Sequence, residues 1–91
     1  MAGKGLLKMI KQIEREIRDL HKELSETQRE QASLRLHPCR GDREIRQKEE
    51  KLEELEKRVK SINQTIRELE RKRQELMAEA LKDSGYESPF V

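Results

Sequence analysis

The two apolar stripes of this chain are mirror images about a Pro-Gly break, and that symmetry leaves few folds open. In the first half Leu6, Ile10, Ile13, Ile17, Leu20 and Leu24 recur at alternating steps of four and three. Leu34 returns on the same frame, with Thr27 and Gln31 at the intervening positions. In the second half Ile45, Leu52, Leu55, Val59, Ile62, Ile66, Leu69 and Leu76 keep a second seven-residue frame. Such spacing is the seam of a coiled coil, because only heptad positions a and d stay turned toward a partner helix. Folding the chain at His37-Pro38-Cys39-Arg40-Gly41 pairs Ile10 with Leu69, Ile13 with Ile66 and Ile17 with Ile62. It also pairs Leu20 with Val59, Leu24 with Leu55 and Leu34 with Ile45, each a facing a d. Gln31 falls opposite Lys48, so the polar positions share one level. Lys48 sets a charge at a d position, where leucine is expected to be the more stabilising residue. The expected fold is all-α: an antiparallel two-helix coiled-coil hairpin that self-associates into a four-helix arrangement.

Composition excludes the main alternatives. The chain has 91 residues, 44% of them charged and 2% aromatic, with no Trp. A compact globular core cannot be built from that inventory. High charge can also signal disorder, but here the signs alternate and the apolar residues are strictly periodic. The 21 basic and 19 acidic side chains nearly cancel, leaving a formal charge of +2. Such a balance does not call for a polyanion partner, which needs clustered Lys and Arg. No run approaches the ~18 apolar residues of a membrane span. The opening Met-Ala-Gly-Lys-Gly-Leu-Leu-Lys has no apolar signal core. With a single Cys, the expectation is an intracellular protein of cytoplasm or nucleus, without a membrane partner.

The sequence divides into a flexible lead-in over 1–5, a hairpin over 6–83 and a flexible tail over 84–91. Within the hairpin the periodicity predicts a helix over 6–36, a turn over 37–41 and a helix over 42–83. Pro38 stops the first helix, since it lacks an N–H and disfavours helical backbone at His37. Asp42 is the expected N-cap of the second, with Glu44 in its first turn at the positive end of the dipole. Across an antiparallel seam g positions face each other, so Glu23 should meet Arg58 and Glu30 should meet Lys51, both attractively.

At the end away from the turn, Leu6, Leu7, Leu76, Met77, Ala80 and Leu81 gather more apolar surface than two helices are expected to cover. Contiguous exposed apolar surface marks an interaction site, and these six residues are the candidate partner interface. Tyr86, Phe90 and Val91 follow in the tail.

No catalytic constellation is present, and the chain reads as non-enzymatic, without cofactor or metal. His21 and His37 are the only histidines and Cys39 the only cysteine. A Cys–His nucleophilic pair needs an oriented base in a water-excluding pocket, and two helices offer none. His37-Pro38-Cys39 lacks the second cysteine of an apical zinc site and reads as a turn. Arg40-Gly41-Asp42 spells an integrin-type tripeptide, yet turn and cap account for those letters. In the tail, Asp83-Ser84-Gly85-Tyr86-Glu87-Ser88 resembles the phosphodegron Asp-Ser-Gly-Φ-x-Ser read by the β-TrCP class of ubiquitin-ligase receptors. That resemblance makes Ser84 and Ser88 candidate phosphorylation sites. The leading expectation is a protein–protein interaction or oligomerisation adaptor whose partner is itself or another helical protein. One alternative is a nucleic-acid-binding hairpin using Lys57, Arg58, Arg71, Lys72 and Arg73. Another is a regulatory hairpin that modulates a partner enzyme.

Overall fold

The computed structural model describes residues 2–83. Two helices account for all of them but the connector 37–41: α1 over Ala2–Leu36 and α2 over Asp42–Asp83, packed side by side as a hairpin with no strand among the described residues. The molecule measures 66 × 24 × 15 Å. At 1.5 Å per residue the 42 residues of α2 span about 63 Å, so one helix sets the length and the thickness is a single layer. There is no interior beyond the seam.

The larger buried apolar cluster of the seam lies away from the turn. Ile10, Ile13, Ile17, Ile62, Ile66 and Leu76 form one buried cluster, with Leu6, Leu20, Leu24 and Leu69 packed against it at partial burial. Leu55 is buried nearer the turn, while Leu34, Leu52 and Val59 are half-buried. Thr27 is buried at a seam position and its hydroxyl donates to the Glu23 carbonyl at 2.8 Å, so the polar group costs little there. Gln31 is buried as well.

Three expectations need correction. Ile45 is 43% exposed and does not close the seam with Leu34. The helices must part there to join the connector, and a splayed pair cannot bury an a-position residue. Leu76 is only 9% exposed and belongs to the core, with Leu6 packed against it. The reason is that Ile10 and Leu6 of α1 pack in the same cluster, so this turn of α2 does have a partner. Helical residues of low propensity such as Gly5 are carried by that packing, since tertiary contacts dominate helix stability. Finally, Asp42 is not the N-cap of α2. The Ile45 N–H donates to the Gly41 carbonyl at 3.0 Å, which makes Gly41 the cap and Asp42 the first helical residue. Glu44 reaches back, its Oε2 accepting from the Arg40 N–H at 2.8 Å, a variant of the capping box shifted by one residue.

Lys48 also behaves differently from the expectation for a charge at d. Its ammonium donates to the carbonyls of Arg35 and His37, each at 2.9 Å. Those are orphan acceptors at the C-terminal end of α1, where the helix dipole favours a cation. The His37 N–H closes the same end by donating to the Leu34 carbonyl at 3.1 Å. A residue of one helix therefore caps the other, and the charge stabilises the turn.

Candidate functional site

Heptad geometry gives the hairpin two flanks. On one flank g positions of the two helices face each other, on the other e positions do. Glu23 and Arg58 are g residues and form the expected pair, Arg58 Nη2 to Glu23 Oε1 at 3.0 Å. Glu30 and Lys51 line the same shallow g-flank depression near the turn, without an ion pair between them. Both side chains are exposed, which lets water compete with the pair.

The e flank carries the candidate site. At the end away from the turn, Leu7, Ile10, Lys11 and Glu14 of α1 and Met77, Ala80 and Leu81 of α2 line a groove of about 530 Å³. Its lining is overwhelmingly apolar, unlike the other depressions of the surface. Leu7 is 55% exposed, and Met77 and Leu81 are similarly open. The sequence places them there for a simple reason: e and b positions next to the seam are normally polar, and here three of them are not. Of the six candidate interface residues, the structure brings Leu7, Met77, Ala80 and Leu81 together in this groove. Leu6 and Leu76 belong to the seam beneath. Lys11 and Glu14 were missed by the sequence reading. They rim the groove, and only the e-flank geometry reveals it.

A second groove of about 480 Å³ lies on the same flank at the turn, with Leu36, Pro38, Ile45 and Leu52 among its lining and Arg35, Lys48 and Glu49 beside them. Leu36 is 85% exposed, the most open large apolar residue of the described chain. Periodicity marks Leu36 only as the end of a helix, and exposure at position f is not visible without the fold.

Of the cations named for a nucleic-acid contact, Arg71 and Lys72 are exposed on α2 and the other three lie near carboxylates. Lys57 pairs with Glu53 at 3.7 Å, Arg58 with Glu23, and Arg73 Nη1 lies 3.9 Å from Glu14 Oε1. Arg73 sits at an a position and its Nε is buried without a hydrogen-bond partner, while the guanidinium tip escapes to the e flank. His21 is an exposed e residue, and Cys39 is a half-buried free thiol in the turn. Among the described residues no three or more His, Cys, Asp or Glu side chains are grouped to hold a metal ion. No helix among them is long and apolar enough to cross a membrane. Ser84, Ser88 and the tail motif lie outside the described residues. Comparison with known protein families, with characterised proteins and with solved structures finds no match to this chain.

Proposed function

We propose that this chain is a non-enzymatic interaction module: a rod whose e-flank groove receives a helical partner, and whose hairpins self-associate into a four-helix arrangement. One observation carries the reading. On a surface that is mostly charged, Leu7, Met77, Ala80 and Leu81 line the most apolar groove, beside the seam. A partner helix laid in that groove would remove their side chains from water, worth about 25 cal/mol per Å² of apolar area. A single-layer hairpin gains little core of its own, which favours burial of a second layer.

The double substitution Met77→Glu and Leu81→Glu tests this. Both residues are exposed, so helix content by circular dichroism should remain near wild type. Molar mass by light scattering across a concentration series should fall from that of an assembly to that of one chain. An unchanged assembly would move the interface away from this groove. Substituting Leu76 would not serve, because it would break the core.

A further inference from the structure

We infer that the partner on the e flank is a second copy of this chain, running antiparallel, so that the groove at the open end of each hairpin covers the groove at the turn of the other. The inference rests on the proposed interaction role and adds partner, direction and register. Two independent features of the e flank agree on it.

The first is the position of the apolar surface. Leu7 and Met77 mark one end of the flank and Leu36 and Ile45 the other, roughly 45 Å apart at 1.5 Å per residue. A two-fold axis across the rod at the level of His21 and Arg58 exchanges the two ends. Leu7 of one copy then arrives beside Arg35 and Leu36 of the second, so each apolar groove meets the other and neither is left to water. A closed two-fold pairing also uses every patch once, with no surface left to propagate a filament.

The second is charge. On the same axis α2 runs antiparallel to α2 of the second copy, and its exposed e and b residues come opposite one another with complementary sign. Lys60 meets Glu56, Arg67 meets Glu49 and Glu70 meets Arg46, each pair occurring twice by symmetry. Along α1, Glu14 meets Gln28 and Leu7 meets Arg35, with no like charges opposed. Same-direction stacking of the two e flanks, with residue numbers summing to about 79, instead sets Arg18 over Lys60 and Lys11 over Arg67. Joining the two open ends head to head would crowd Lys8, Lys11 and Lys82 against their own copies. Exposed pairs of this kind decide orientation and register more than affinity.

The full-length chain supplies the test, with cysteine at the predicted axis. His21→Cys in a Cys39→Ser background should form a covalent dimer on mild oxidation, since position 21 meets itself and a disulfide needs Cα atoms within about 7 Å. Gln28→Cys in the same background should not, because it faces position 14. Equal linking of both variants, or linking of position 28 alone, overturns the antiparallel register. Charge supplies the second readout. Arg67→Glu should weaken the dimer roughly tenfold, and Arg67→Glu with Glu49→Arg should restore it. Failure of the double reversal to restore it overturns the register. A wild-type chain that stays monomeric at high micromolar concentration overturns self-pairing altogether. If the wild type dimerises and Met77→Glu with Leu81→Glu abolishes it while position 21 fails to link, the groove reading stands and the antiparallel geometry falls.

Discussion

Two cations sit at seam positions, and their surroundings give them opposite values. Lys48 at d holds two carbonyls at the end of α1. Lys48→Met keeps the apolar stem and deletes the ammonium, so it should lower stability by about 1 kcal/mol, read from the midpoint of urea unfolding at unchanged slope. Arg73 at a has a buried Nε with no acceptor and only a long contact to Glu14. Arg73→Leu should therefore raise stability by about 1–2 kcal/mol, since it removes an unpaired donor and fills the seam. A loss on Arg73→Leu would show that the pair with Glu14 outweighs the orphan nitrogen. Gly41 is a third informative residue. Its backbone is not in the left-handed region, and a Cβ there meets nothing within 4 Å. Gly41→Ser should stabilise by about 0.5–1 kcal/mol, through a better cap and a less flexible unfolded chain.

At the scale of the helices, stability is graded along the seam. Ile62 is buried in the central cluster, whereas Ile45 is open at the turn. Ile62→Ala should cost about 2–4 kcal/mol and Ile45→Ala under about 1 kcal/mol in the same unfolding assay. Amide hydrogen exchange should follow that order, slowest near Ile13–Ile17 and Ile62–Ile66 and faster toward the connector, because opening free energy tracks buried apolar contact. Equal costs at the two isoleucines would mean that the seam closes fully up to the turn.

For the whole molecule the governing fact is that one layer of two helices leaves its flanks to water. Cysteines at Ile17 and Ile62 in a Cys39→Ser background should join within one chain at low concentration, as an intramolecular hairpin requires. Exclusive links between chains would instead indicate a domain-swapped long helix. The e flank carries grooves at both ends, and the proposed association uses that flank.

The heptad frame, the antiparallel register and the Glu23–Arg58 pair were legible in the sequence, because periodicity and charge across a seam depend only on spacing. The alternating steps from Leu6 to Leu24 and from Leu52 to Leu69 put each apolar stripe on one helix face, and the two stripes bury each other when the chain folds back. What spacing could not decide was where the two helices part and how far each extends. Ile45 is on frame yet exposed, since the connector pulls the helix ends apart. Leu76 has no periodic partner yet is buried, since Ile10 and Leu6 of α1 pack in the same cluster. The same limit hid the cap made by Lys48, whose acceptors lie across the turn, and the groove at Leu36. These depend on positions in space that residues distant in the chain set jointly, and only the packed hairpin fixes them.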